Sequence, residues 1–339
     1  MKTTIADIAR QAGVSKATVS RVLNDKVEGV GAETRKKIKD LINEMEFEPS
    51  GFARSLATGK SRALGLVIPD IADPFYPLLI RGIENALAKA GYGLFLCDSN
   101  RDIAREKDHI RQLLERRVDG IILNSTLSDC DCQLDLLEKR SVPYVLLDRI
   151  IETRPAGAGV YVDNKKGAKI AVDHLLSGKT RRLLFLNGPE SLYISRLRRE
   201  GVEEACREHG IKAETVIQLE GDFTAESGER ALDAFFASNG DKPRFDAIFS
   251  ANDLMAIGAM LSLKRRGIKI PDDVEIIGFD DVAPARYMDP PLSTIAQPAF
   301  EMGKKSAELL LGMIGGKKPR KRVIVMEPAL VLRGTTRHL

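Results

Sequence analysis

The chain has 339 residues, of which 43% are hydrophobic and 29% charged, with a net charge of +4. That length accommodates two or three domains, and the balance describes a globular protein rather than a disordered one. No apolar run reaches the length of a membrane span, and no charged stretch followed by an apolar core opens the chain as a secretory signal would.

In chain order, residues 4–24 read TIADIARQAGVSKATVSRVLN. Ile5, Ile8 and Ala9 have helical spacing, Ala12-Gly13-Val14 makes a turn, and Ser15 can cap a second helix. This is the plan of a helix-turn-helix, whose second helix enters the DNA major groove. Ala9 is small where two helices cross, and Gly13 permits a left-handed turn. Val14, Val19 and Val22 form the inner face, which leaves Lys16, Ala17, Ser20 and Arg21 outward. Arg21 can donate two bonds to guanine, Lys16 suits guanine or phosphate, and Ala17 can meet a thymine methyl. A third helix is predicted over Ala32–Met45 through Ile38, Leu41 and Met45. Pro49-Ser50 stops it, and Ser50 can cap a short helix carrying Phe52, Ala53, Leu56 and Ala57. Residues 1–62 carry 12 Lys+Arg against 8 Asp+Glu, whereas the other 277 carry 40 of each. The whole positive excess lies with the helix-turn-helix, as a DNA-binding head on a neutral body requires.

From Ala63 short apolar strands alternate with amphipathic helices. ALGLVIP, GLFLCD, GIILN and PYVLLD read as strands, with helices near 75–91, 103–117 and 130–140. GVYVD, RLLFLNG, TVIQLEG, DAIFSAND and DVEIIGFDD form a second series, with helices near 164–178, 191–210, 223–239 and 252–266. A helix over about 298–314 and the strand VIVMEP close the chain. This alternation predicts two α/β lobes, each with a parallel sheet and helices on both faces. Ligands of such sheets bind beyond the carboxyl ends of the strands, where Asp70, Asp98, Asn124, Asp148, Asn252 and Asp280 stand. Asp253 reads as the N-cap of the helix after DAIFSAND.

With these motifs in place the chain resembles the LacI/GalR family of bacterial transcription regulators. The likeness rests on the opening segment, on EPSGFARSLATGKS and DGIIL, and on GDFTAESGERAL, FSANDLMAIGAM and IIGFDDVAPARYMDPPLSTIAQPAFEMG. It implies an all-α helix-turn-helix head over 1–46, a hinge with a short helix over 47–62, and a two-lobed body over 63–339 that resembles periplasmic sugar-binding proteins. Lobe 1 is expected over about 63–160 plus 294–321, and lobe 2 over about 161–293 plus 322–339. The family further implies a homodimer on a near-palindromic double-stranded operator. Lys16, Ala17 and Arg21 fall at its base-reading positions, and Thr4, Ser15, Thr18 and Asn24 where backbone phosphate contacts are common. The likeness places the hinge residues Ser50, Ala53, Arg54, Leu56 and Ala57 on DNA as well, with Leu56 at the family's minor-groove wedge.

In the body, Arg198 falls at the family's main effector-binding arginine and Asp280 at its acidic acceptor, although the two could also form a structural ion pair. Asn124, Asp148 and Asn252 fall at other cleft positions. Phe75, Tyr76 and Phe223 could stack on a sugar or base, and Phe75 and Tyr76 could equally be helix-start packing. Ile194 stands where purine-binding members carry threonine, which disfavours a purine. Arg149, Arg196 and Arg198 could form a cationic rim suited to a phosphorylated sugar or to a sugar acid such as 2-keto-3-deoxygluconate; Arg196 could instead face outward. The resemblance therefore implies a repressor of carbohydrate-utilisation genes released by a small sugar-like effector, with corepression compatible with the same residues. The final Arg337-His338-Leu339 lacks a leucine heptad, which favours a dimer over a tetramer.

Two other function classes are weaker. A solute-binding receptor would not carry the helix-turn-helix. An enzyme would need a reactive motif, and GxGxxG after a strand, GxxxxGK[ST], HExxH and GxSxG are all missing. Cys97, Cys130, Cys132 and Cys206 form no disulfide framework, and Cys130-Asp131-Cys132 has no second ligand pair. No cofactor, metal or membrane contact is expected, and the protein is expected in the bacterial cytoplasm, at the nucleoid.

Overall fold

The computed structural model describes residues 3–23, 28–47, 60–125, 131–148, 158–178, 180–317 and 321–337. The chain separates into two compact units, Met1–Arg62 and Ala63–Leu339.

The first unit holds α1 (Ile5–Ala12), α2 (Lys16–Leu23) and α3 (Ala32–Glu44). Ile8, Ala9, Ala12, Val19, Val22 and Ile38 form its buried core, with Ile5, Val14, Leu41 and Met45 packed against it. Asp7 ties down the start of α1: its carboxylate accepts from the Thr4 backbone N–H at 3.1 Å and from the Thr4 hydroxyl at 2.6 Å. Both bonds favour the charged form and hold this carboxyl below the usual range. Gly13, at φ +72°, ends α1 in the left-handed conformation, and the Val14 N–H returns to the Ala9 carbonyl at 3.0 Å. The predicted short hinge helix falls outside the described residues.

The second unit contains two six-stranded sheets. The first is built from β1 (Ala63–Ile68), β2 (Gly93–Asp98), β3 (Gly120–Leu123), β4 (Tyr144–Leu147), β5 (Gly159–Val162) and β11 (Val323–Met326), in the order β11-β5-β4-β3-β1-β2. The second is built from β6 (Leu183–Asn187), β7 (Ile217–Glu220), β8 (Ala247–Ser250), β9 (Glu275–Asp280), β10 (Ser293–Ala296) and β12 (Ala329–Val331), in the order β12-β10-β9-β8-β6-β7. All pairs are parallel except β10–β12. The central strands are buried along their length, as parallel strands covered on both faces must be. Both sheets are wound in the same way, with a switch of winding direction beside the first strand of each.

The covering helices are α4 (Tyr76–Ala90), α5 (Ile103–Glu115), α6 (Asp131–Lys139), α7 (Asn164–Ser177), α8 (Tyr193–Glu208), α9 (Ala225–Asn239), α10 (Asp253–Arg265) and α11 (Ala299–Ile314). The sheets correct the expected lobe limits. GVYVD, read as opening the second series, supplies β5 of the first sheet, and VIVMEP supplies β11 beside it. STIA, assigned to lobe 1 with no strand predicted, supplies β10 of the second sheet, and β12 was not predicted. The chain thus passes between lobes after β5, after β10 and after β11. Apolar patterning marks a strand but carries nothing of which sheet edge it joins.

Helices α9 and α10 cross closely because glycines face each other. A Cβ on Gly258 would overlap the Ala225 carbonyl oxygen and crowd the Glu229 amide, and one on Gly228 would overlap the Met255 backbone. Backbone atoms cannot yield as a side-chain tip can. Gly258→Val is therefore expected to destabilise the body by about 3 kcal/mol. An unchanged urea midpoint would show that the crossing is looser than this.

Candidate functional site

The outer face of α2 is assembled around Ser15. Its hydroxyl oxygen accepts the Thr18 N–H at 3.1 Å and shares a hydrogen bond with the Thr18 hydroxyl at 2.9 Å. This cap sets the start of the helix and its rotation. Val19 and Val22 then turn into the core, and Lys16, Ala17 and Arg21 are exposed, with Ser20 partly so. Thr4 is exposed at the start of α1. The described part of the predicted DNA set, namely Thr4, Ser15, Lys16, Ala17, Thr18, Ser20 and Arg21, lies at the start of α1 and on α2. Asn24, Ser50, Ala53, Arg54, Leu56 and Ala57 lie outside the described residues.

In the second unit the carboxyl ends of strands from both sheets border one cleft. From lobe 1 come Pro69, Asp70 and Asp73 after β1, Phe75 and Tyr76 at the start of α4, Arg101 after β2, and Asp148 after β4. Lobe 2 contributes Ile194 and Arg198 on α8, Phe223 after β7, Asn252 after β8, Asp280 at the end of β9, and Gln297 after β10. Several of these residues hold a left-handed backbone without being glycine: Arg101 at φ 59°, Asp148 at 63°, Phe223 at 69° and Asp280 at 115°. Such conformations are costly and concentrate at ligand sites.

Arg198 is the centre of the lobe 2 wall and only 2% exposed. Its Nε donates to Asn164 Oδ1 at 2.9 Å and its Nη1 to the Ala251 carbonyl, while the guanidinium lies 3.9 Å from the Phe279 ring centroid. Asp280 accepts from Gln297 Nε2 at 2.7 Å. Burial pushes the Asp280 carboxyl well above the ordinary range, against the pull of Arg198, and Asp253 and Asp73 add to the rise by repulsion. Burial also raises Asp73, which accepts the Phe75 N–H at 2.9 Å. Phe75 and Tyr76 meet edge to face with centroids 5.5 Å apart. Both pack at the start of α4 and also line the cleft. The Phe223 ring packs against Gly188, where a Cβ would strike it.

Three expectations change. Asn124 is wholly buried behind the wall, where its Nδ2 donates to Tyr76 Oη at 3.2 Å and to Asp148 Oδ2 at 3.4 Å. Asn252, not Asp253, caps α10. Its Oδ1 accepts the Met255 N–H at 2.9 Å and its Nδ2 donates to the Phe223 carbonyl at 3.0 Å, so it shapes the cleft by fixing Phe223. Asp253 is instead fully buried between Thr294 and Val282. The cationic rim changes composition as well. Arg196 packs over the Tyr193 ring at 5.3 Å and is not in the cleft wall, Arg149 lies outside the described residues, and Arg101 is the second arginine in the wall. Arg101 pairs with Asp70 at 3.2 Å and also donates to the Asp222 carbonyl of the other lobe. Arg101, Asp73 and Gln297 were not singled out from the sequence. Their position just beyond β1, β2 and β10 is the signal that marks them.

Comparison with known proteins places these features in a family. Residues 4–50 match the model of bacterial regulatory proteins of the lacI family, and residues 172–336 match the periplasmic binding protein-like domain. The chain is 34% identical over 337 residues to the HTH-type transcriptional repressor PurR of Photobacterium profundum, covering 99% of each. It is 35% identical over 334 residues to the ribose operon repressor of Bacillus subtilis, covering 98% of each. Its structure superposes on that of the lac repressor dimer bound to operator and the anti-inducer ONPF with a TM-score of 0.87, at 28% identity and 99% coverage of both. With a recognition helix in one unit and a two-lobed cleft in the other, the chain belongs to the LacI family and is a DNA-binding transcriptional repressor.

Proposed function

We propose that this repressor binds a near-palindromic operator as a homodimer and is released when a small sugar-like effector occupies the cleft. The observation that carries the reading is the meeting of strand ends from both lobes around Arg198, Asp280 and two aromatic faces. Aromatic planes and charged hydrogen-bonding groups together suit a ring with alternating apolar and hydroxyl faces. A ligand held by both lobes changes their relative position, and it shifts the DNA equilibrium to the extent that it prefers one lobe arrangement. The homodimer is supported by a broad hollow on lobe 2 beside α10 and Pro290, where Tyr287 is 85% exposed and Leu261 also faces solvent. A second copy would cover these apolar groups.

Operator sequences selected from random DNA with the full chain give the substrate for the test. Titration of that DNA with and without a panel of sugars is expected to show at least one sugar that lowers operator affinity tenfold or more (about 1.4 kcal/mol). Unchanged affinity with a sugar that demonstrably fills the cleft would refute release, and tighter DNA binding would reverse the sign to corepression. Leu56→Ala, at the proposed minor-groove wedge, is expected to weaken operator binding by about 1–3 kcal/mol and to spare binding to unrelated DNA. Equal losses on both would remove the wedge.

A further inference from the structure

The two lobes are joined by chain on one side and meet through a side chain on the other. The passages between them leave from β5, β10 and β11, at the β11 end of the first sheet and the β12 end of the second. Strands β2 and β7 are the outer strands at the opposite ends. β2 stands four strand spacings from β5, and β7 four from β10, which is about 19 Å at the usual separation of neighbouring strands. Lobes joined in this way turn about their connecting segments, so the loops after β2 and β7 move furthest when the lobes part. At that distance a rotation of about 10° opens a gap of about 3 Å, enough to break a hydrogen bond.

Arg101 and Asp222 stand in those two loops. Arg101 Nη1 donates to the Asp222 carbonyl oxygen across the lobes. Both ends of this bond are held from behind. Arg101 has a left-handed backbone, its N–H donates to the Pro69 carbonyl at 2.7 Å, and its Nη2 pairs with Asp70 Oδ2 at 3.2 Å. Main chain and side chain are thus both tied to the loop after β1. In lobe 2 the Asp222 N–H donates to Ser227 Oγ at 3.0 Å, and its carboxylate accepts the N–H and the hydroxyl of Thr224. A charged donor makes a stronger bond than a neutral one, and a guanidinium already oriented by a carboxylate loses little freedom in forming it.

We propose that Arg101 is an interlobe clasp: its bond to the Asp222 carbonyl holds the cleft closed at the edge opposite the connecting passages. The clasp itself does not depend on what fills the cleft. Its part in control rests on the effector reading above, because a ligand that touches both lobes takes over the work of the clasp.

The gap is read directly by electron-electron distance measurement on the full chain. Spin labels are placed at Arg105→Cys on α5 and Glu226→Cys on α9, both exposed and one on each side of the mouth. The four native cysteines are replaced by alanine, and the labelled chain is mixed with an excess of unlabelled chain. Without ligand, Arg101→Ala is expected to lengthen the mean distance by about 3 Å or more, with an unchanged urea midpoint. Asp70→Asn removes the charge that orients Arg101 but can keep the Ala72 N–H contact of Oδ1. It is expected to open the mouth in the same direction by less, and it carries the test if Arg101→Ala is unstable. Asp222→Asn leaves the accepting carbonyl and the Thr224 contacts in place and is expected to match wild type. An unchanged distance in both Arg101→Ala and Asp70→Asn overturns the clasp. Opening by Asp222→Asn as wide as by Arg101→Ala also overturns it, since charge attraction and not the carbonyl bond would then close the mouth. Ribose, glucose and galactose are then added at saturation. One that stabilises the protein against heat is expected to return Arg101→Ala to the wild-type distance. A mouth that stays wide with such a sugar bound counts against the effector reading and leaves the clasp standing.

Discussion

Arg198→Ala is expected to leave operator binding within about threefold of wild type and to lower effector affinity by about 100-fold. The residue combines three contacts that few substitutes can reproduce: the Asn164 bond at 2.9 Å, the Ala251 carbonyl, and the Phe279 face at 3.9 Å. Removing it also takes away the positive charge that opposes the rise of the Asp280 carboxyl, so Asp280 holds its proton more firmly and becomes a poorer acceptor for hydroxyl groups. Arg198→Lys is expected to do little better, because an ammonium cannot stack flat on Phe279 while donating in two directions. Operator titrations on both variants, with a sugar that releases the wild type, check this. A variant that still responds at wild-type sugar concentrations would remove Arg198 from the effector site.

The second large effect concerns Asp253. Its Oδ1 accepts the Thr294 hydroxyl at 2.5 Å and its Oδ2 the Val282 N–H at 2.9 Å. Burial pushes its carboxyl up to about 7; these two bonds and Arg333 pull it down, and Asp281 pushes it further up. In the unfolded chain an aspartate ionises near pH 4, so between about 4 and 7 the folded state binds more protons than the unfolded one. Stability from this group is therefore complete at low pH and declines as pH rises through about 7. Asp73 and Asp280 are raised too and act in the same direction, which makes the difference between variants the proper measure.

Asp253→Asn can keep both contacts, with its amide oxygen on the Val282 N–H and its amide nitrogen on the Thr294 oxygen. It is expected to gain on wild type as pH rises from 4.5 to 8, by an amount on the order of 3 kcal/mol. Urea unfolding at several pH values tests this. A difference between the two proteins that stays constant with pH would show that Asp253 ionises normally.

Much of the head was legible because its signals are local. The spacing of Ile5, Ile8 and Ala9, the turn at Gly13 and the cap at Ser15 each act within a few residues, and they reappear as α1, the left-handed cap and the start of α2. The strands were legible as apolar runs, but sheet membership was not. β5 and β11 meet across some 160 residues of chain, and nothing in GVYVD or VIVMEP names the other. β10 and β12 have only four and three residues, too short for periodicity to register. In the cleft, Arg198 and Asp280 came from motif position. Arg101, Asp73 and Gln297 sit in loops without a repeating pattern, and only the converging strand ends bring them together. Asn252 and Asp253 are both good capping residues, and the choice between them depended on Thr294 and Val282, far away in sequence.

The three passages between lobes have a consequence for how the protein is made. β11 completes the sheet of lobe 1 and β12 that of lobe 2, and both lie after residue 320. Neither lobe can finish its sheet on the ribosome before nearly the whole chain has emerged, whereas the residues of the head are all synthesised within the first 62. A nascent repressor therefore carries all the residues of its DNA-binding head long before its body is complete. A chain cut short after α11 would lose one edge strand from each sheet at once.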